Sequence, residues 1–196
     1  MKIVFATNNN NKLKEIKSIF KKMNLNSFSI LSLKDLGLDN LYIEENEETI
    51  EGNAELKASI ISDLSGLPSF ADDTGLEIDA LDGKPGVHSS RFAGEESNDA
   101  ENRKLVLKLL ENVPDDKRTA RFKTVIAFVD KKQSYLFEGL CYGRIIKEER
   151  GNNGFGYDSI FIPDGFDITF AEMEPDLKNQ ISHRSIAFGK FVNFLS

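Results

Sequence analysis

A single cysteine, Cys141, is the only thiol in the 196-residue chain. An internal disulfide is thereby excluded, and no cysteines stand at metal-binding spacing. Long apolar runs are missing too. Met1-Lys2 leads straight into Ile3-Val4-Phe5-Ala6, and four apolar residues are too few for a secretory signal or a membrane span. The expectation is a cytoplasmic protein with no membrane partner. Basic charge is in short supply, with 25 Lys and Arg against 32 Asp and Glu, a formal net charge of -7. That balance argues against a nucleic-acid binder, which needs a basic face, but leaves room for a local cationic pocket that takes a phosphorylated small molecule. The glycines of a Walker A loop, Gly-x-x-x-x-Gly-Lys-Ser/Thr, do not occur. Repeats, low-complexity tracts and linkers are likewise lacking.

What remains is ordinary globular composition, 40% hydrophobic and 29% charged, in a chain long enough for one large domain or two small lobes. Lys2–Ala6 reads as a short buried strand. Thr7-Asn8-Asn9-Asn10-Asn11-Lys12 follows as a polar turn into a helix whose apolar face is Leu13, Ile16, Ile19, Phe20 and Met23. Such a strand–loop–helix start suits an anion, because free N–H groups and the positive end of the helix dipole converge there. An Asn-rich helix cap is an equal reading of the same residues. Phe28–Leu31 reads as a second strand. The acidic run Glu44, Glu45, Glu47 and Glu48 precedes a helix capped by Thr49, with Ala54, Ala58, Ile61 and Leu64 on one side and Lys57 in the same segment.

Ser69–Asp73 reads as the next strand, and it ends in two adjacent carboxylates. Neighbouring strand residues face opposite ways, so Asp72 and Asp73 share a site only if the chain turns at Thr74-Gly75, and a turn is the expectation there. Leu76–Leu81 reads as a short strand. A helix capped by Asn98 follows, with Leu105, Leu109, Leu110 and Val113 as its stripe. Thr119–Asp130 and Ser134–Tyr142 alternate as strands joined at Lys131–Gln133, which makes an antiparallel hairpin. Gly143–Lys147 continues the second of these or starts a neighbouring strand, and Ile160–Ile162 is a brief strand. The last helix buries Phe188, Phe191, Val192 and Leu195 behind a Ser182 or Ser185 cap. The order of elements implies an α/β fold with a mixed sheet.

Chemistry-bearing groups fall in four places: Thr7–Lys12, Glu45 with Lys57, Asp72 with Asp73, and Phe155–Asp158 with Ser182-His183-Arg184. Together they hold an anion-binding helix start, cations, hard-metal carboxylates and an aromatic corner with an arginine. That combination suits Mg²⁺ and a nucleoside triphosphate.

Five ordered segments carry a resemblance that spans the chain. They are Ala6-Thr7-Asn8-Asn9-Asn10-Asn11-Lys12, Gly52-Asn53-Ala54-Glu55-Leu56-Lys57-Ala58, Ala71-Asp72-Asp73-Thr74-Gly75-Leu76, Gly154-Phe155-Gly156-Tyr157-Asp158 and Lys178-Asn179-Gln180-Ile181-Ser182-His183-Arg184. The chain resembles the inosine triphosphate pyrophosphatase family, also called dITP/XTP pyrophosphatases. The resemblance implies an elongated mixed β-sheet flanked by helices, two lobes with a central active-site cleft, and a homodimer. It implies Mg²⁺-dependent cleavage of deaminated purine nucleoside triphosphates (ITP, dITP, XTP) to the monophosphate and pyrophosphate. Thr7, Asn8, Asn9, Asn10, Asn11, Lys12, Lys57 and Lys178 would hold the substrate, largely its phosphates, and Thr74 would touch it. Glu45 and Asp73 would hold Mg²⁺, with Asp73 the proton acceptor and Asp72 in support. Phe155, Gly156, Tyr157, Asp158, His183 and Arg184 would hold the base. Three positions depart from the family pattern: Asn8 replaces a usual Gly, Gly52 a usual Glu, and Ser159 a usual Pro. Readings that compete with this one are a pyrophosphatase for other modified nucleotides, such as methylated pyrimidines, and a nucleotide-sensing binding protein without turnover.

Overall fold

The computed structural model describes residues 1–22, 28–94 and 98–195; the Met23 expected on the first helix lies outside them. Strand β1 (Lys2–Phe5) lies between β2 (Ser29–Ser32) and β3 (Ser69–Ile78), parallel to both. Parallel neighbours need crossovers, and two helices supply them: α1 (Asn10–Lys22) and α2 (Ile50–Ser65). The β1–β3 register sets Phe5 beside Phe70, with their rings stacked at 4.5 Å. Burial of both rings fixes where β3 emerges past the end of β1. A slip of one residue would turn every β3 side chain to the wrong face.

Further along, β4 (Pro85–Gly86) pairs with β3, α3 spans Asp99–Leu109, and β5 (Thr119–Asp130) meets β6 (Gln133–Ile145) through Lys131-Lys132. Both of these lysines have positive φ, 49° and 67°, as a two-residue hairpin turn requires. Strand β7 (Phe161–Pro163) runs antiparallel to β6, and α4 (Pro175–Ile181) and α5 (His183–Leu195) close the chain. Among the described residues the sheet order is β2-β1-β3-β5-β6-β7, with β4 added on β3. The α/β class and mixed sheet are those read from the sequence.

Contacts group into two units. The first comprises Met1–Asp73, Val125–Glu138 and Ala187–Ser196; the second comprises Thr74–Thr124 and Gly139–Ile186. The first unit's core is built on Phe5, Phe20, Phe70, Phe128, Phe188 and Phe191. In the second unit Leu76, Val106, Phe122, Tyr157, Phe161 and Phe170 do the same.

Several expectations are corrected. Strand β3 does not turn at Thr74-Gly75 but continues extended to Ile78, because β4 supplies partners for Leu76 and Glu77. Residues 79–81 form a 3-10 turn rather than strand. Residues 143–147, expected to continue the strand of 134–142 or to start a neighbouring one, continue it as far as Ile145. Gly143 is a close approach, where a Cβ would strike the Ile162 carbonyl oxygen. On α3 the buried positions are Asn102, Val106 and Leu110, while Leu109 stays exposed. Leu110 and Val113 of the expected stripe do meet the core, and Val106 takes the inward place expected of Leu109. Helix α1 begins at Asn10, so its cap lies within the Asn run.

Candidate active site

The first unit gathers the charged half of the predicted residues. Thr49 caps α2 by accepting the Gly52 N–H at 3.0 Å. Buried Asn53 then straps the acidic loop to that helix, accepting the Glu47 N–H at 3.1 Å. Gly52 has no Cβ to hold Glu47 off, since one would press on the Glu47 side chain at 2.9 Å. The family departure at this position therefore has a steric use. The strapped loop delivers Glu45, not its exposed neighbours Glu44, Glu47 or Glu48, to Lys57 on the next turn of α2. The Lys57 ammonium donates to Glu45 Oε1 and to Asp73 Oδ1, each at 3.1 Å.

Strand alternation sends the other carboxylate elsewhere. Asp72 Oδ2 pairs with Lys12 Nζ at 3.0 Å. The two acids thus belong to two different lysines. Burial works against the charge on Lys57, but Asp73, Glu45 and Asp72 outweigh it and hold its pKa above the ordinary lysine value. Burial likewise pushes the Asp73 carboxyl up, and Lys57 and then Lys12 pull it back only in part. Asp73 is therefore more basic than a surface aspartate, while its partner stays cationic.

At the start of α1 the capping geometry is realised. Asn9 Oδ1 accepts the N–H groups of Asn11 at 2.9 Å and Lys12 at 3.2 Å, and Thr7 Oγ1 accepts that of Asn9 at 3.1 Å. Asn8 donates to the Leu41 carbonyl at 3.1 Å. Of Asn10 only the backbone is described. An anion arriving here would take N–H groups that the Asn9 side chain holds.

In the second unit, Thr74 shares a 2.7 Å hydroxyl contact with Thr124. The segment Gly154–Asp158 folds back on itself. Asp158 Oδ2 accepts the Phe155 N–H at 2.8 Å and the buried Lys178 ammonium at 2.7 Å. Gly154 has φ +77°, and a Cβ there would collide with that same carboxylate. Lys178 Nζ and Arg184 Cζ lie 5.3 and 5.5 Å from the centre of the Phe155 ring, within cation–π range. Lys178 thus sits with the aromatic corner, because α4 places it over Phe155 and Asp158. His183 stacks on Phe122 at 4.6 Å, and Ser182 caps α5 by accepting the Ser185 N–H at 3.2 Å. Tyr157 is buried and donates its hydroxyl to the Ser89 carbonyl at 2.7 Å, so its phenol is pinned in the core and its pKa pushed up by burial.

Sequence reasoning missed Asn53, which carried no signal beyond its place in a motif. It also missed Asp99 and Arg103 on α3, whose i,i+4 spacing alone does not tell a solvated ion pair from a loop contact. Among the described residues no group of three or more His, Cys, Asp or Glu could hold a metal by itself. No described helix is long and apolar enough to cross a membrane.

Comparison with known proteins gives one consistent result. A dITP/XTP pyrophosphatase of Christiangramia forsetii is 50% identical over 197 residues, covering all of both chains. A dITP/XTP pyrophosphatase of Flavobacterium johnsoniae is 46% identical, across all of this chain and 98% of its own. Among solved structures, a HAM1 protein from Coxiella burnetii superposes with a TM-score of 0.90 at 37% identity, covering all of this chain and 98% of that one. Residues 3–194 match the Ham1 family. On likeness that runs the length of the chain in both sequence and structure, this protein belongs to the Ham1 family.

Proposed function

We propose that this chain hydrolyses deaminated purine nucleoside triphosphates (ITP, dITP and XTP) to the monophosphate and pyrophosphate, with Mg²⁺ as cofactor. The observation that carries the reading is 50% identity along the full length of a dITP/XTP pyrophosphatase. The Glu45–Lys57–Asp73 cluster supplies chemistry that such a reaction needs. Glu45 and Asp73 fit Mg²⁺, being hard oxygen donors that converge on one ammonium. This ion commonly takes one or two carboxylates and completes its shell with water and phosphate oxygens. When bound, it would neutralise charge developing on the phosphates.

The protein's own groups do the rest. Asp73, made more basic by burial, accepts the proton of the attacking water. Lys12 and Lys57 meet phosphate oxygens as point charges and hold the leaving pyrophosphate. Phe155 stacks on the base, an interaction worth about 1–3 kcal/mol that any base can use. Selection falls to Arg184, which can only donate. Hypoxanthine and xanthine offer it an oxygen at C6. Adenine offers an amino group, which would leave buried donors unpaired at about 1–3 kcal/mol each. The same reading makes the protein a cytoplasmic homodimer, sedimenting at twice the mass of one chain.

Incubation with ITP, dITP, XTP, GTP and ATP in Mg²⁺ tests the proposal. Pyrophosphate release that is fast on the deaminated purines and slow on ATP is expected. Orthophosphate as first product, or equal rates on all five, would overturn it.

A further inference from the structure

We infer that Asp99 and Arg103 are positioning residues for the base: they clip the Gly154–Asp158 loop to α3 and thereby fix Phe155. The inference rests on the reading of Phe155 as the stacking platform. The loop needs such restraint. Phe155 lies between two glycines in left-handed conformations, Gly154 at φ +77° and Gly156 at φ +61°. Glycine has more backbone freedom to lose on ordering than any other residue.

The clip closes on a single residue from both sides. Gly156 donates its N–H to Asp99 Oδ2 at 2.7 Å, and its carbonyl accepts from Arg103 Nη1 at 2.8 Å. Asp99 and Arg103 are one helical turn apart on α3, so they present one face to the loop. Arg103 uses a second edge of its planar fork on Glu149 Oε2 at 2.7 Å, and Ser159 Oγ donates to that same oxygen at 2.9 Å. Glu149 precedes the loop and Ser159 follows it. One arginine therefore joins α3, the loop's entry and exit, and its central peptide. On the other side of Phe155, Asp158 holds the Phe155 N–H. The ring is set by fixing its own peptide and the next one, all through bonds with a charged partner, which are the stronger kind.

None of these bonds touches the charged cluster of Lys57 and Asp73. Loss of the clip should therefore weaken base recognition and spare phosphate chemistry. Arg103→Met, Asp99→Ala, Asp99→Asn and Glu149→Gln would be compared with the unaltered protein. The readouts are kcat and KM on ITP, and inhibition by inosine monophosphate and by inorganic pyrophosphate. Arg103→Met and Asp99→Ala should each raise KM and weaken monophosphate inhibition about tenfold, as loss of a charge-assisted bond implies. In both, kcat should change by less than about threefold and pyrophosphate inhibition should not move. Asp99→Asn keeps an oxygen that accepts the Gly156 N–H and should restore most of the binding; Glu149→Gln should fall between. Exposed Asp99 keeps the test usable if Arg103→Met does not fold. Unchanged monophosphate inhibition, or monophosphate and pyrophosphate inhibition lost together, would overturn the inference. Failure of the unaltered protein to hydrolyse ITP would instead overturn the function proposed above.

Discussion

Replacing Lys57 with methionine removes the charge at the centre of the cluster while keeping an unbranched chain of similar length. Its two partners are not equal. The Asp73 side chain is 9% exposed and that of Glu45 34%, so solvent can compensate Glu45 far better than Asp73. The cost should therefore come mainly from a buried carboxylate left without its cation, about 3–5 kcal/mol at neutral pH. The sign of the pH dependence follows from the direction of the Asp73 shift. Its pKa in the fold already lies above the unfolded value of about 3.9. A group raised in this way gives stability that is full below the unfolded pKa and is lost as pH rises through the folded one. Removing Lys57 raises the folded pKa further and enlarges that loss. Urea unfolding should show a deficit at pH 7 that shrinks to less than about half by about pH 4.5, toward the unfolded pKa, because protonation of Asp73 removes the stranded charge. In an Asp73→Asn background the same Lys57→Met change should cost less than about 1 kcal/mol, because the carboxylate then left without its cation, Glu45, is open to solvent. An equal deficit at both pH values, or one unaffected by Asp73→Asn, would refute the assignment of Lys57 as the counter-ion of Asp73.

Three other outcomes follow from the same geometry. Gly154→Ala should cost about 1–3 kcal/mol in thermal unfolding, since its φ is left-handed and its Cβ would displace the Asp158 carboxylate; a neutral effect would mean that the Asp158 contact is dispensable. Arg118 is fully buried and donates to the carbonyls of Ile145 at 2.9 Å, Leu110 at 2.7 Å and Ile146 at 3.1 Å. Arg118→Met should lose about 3 kcal/mol by stranding them, with Arg118→Lys recovering less than half because one ammonium lacks the fork; a loss below about 1 kcal/mol would contradict this. Burial pushes the Cys141 thiol up to about 12. Alkylating reagents at about pH 8 should therefore label it only after unfolding, and native-state labelling at the rate of a free thiol would show the site to be open.

Legibility in the sequence tracked how local the governing physics was. The hairpin at Lys131-Lys132, the Thr49, Asn98 and Ser182 caps and the aromatic core of α5 all depend on residues near one another in the chain, and they were readable. The end of β3 was not, because it is decided by a partner. Thr74-Gly75 can turn, and only pairing of Leu76 with Gly86 and Glu77 with Pro85 keeps it straight. Gly143 likewise answers to a partner, its lack of a side chain letting β7 approach. The choice of Glu45 among four acids waited on Asn53 and Gly52, which aim the loop. Lys178, which the resemblance puts on the substrate, largely its phosphates, meets Asp158 and Phe155 through α4, a helix the sequence does not announce.

The unbroken strand changes what the acidic pair is. Had the chain turned after Asp73, both carboxylates would face one site and repel each other, with nothing to set one apart from the other. An extended β3 instead uses the two-residue period of a strand to separate them with no extra device. Asp72 goes to Lys12 at the first turn of α1, and Asp73 goes to Lys57, the cation shared with Glu45. Each lysine comes from a different helix, so the positions of α1 and α2 relative to β3 are read out directly as charge placement. The stacked Phe5 and Phe70 set that register two residues before Asp72. A core contact made for packing therefore decides which carboxylate meets which ammonium, and with it, on the function proposed above, which of two adjacent aspartates would take a proton.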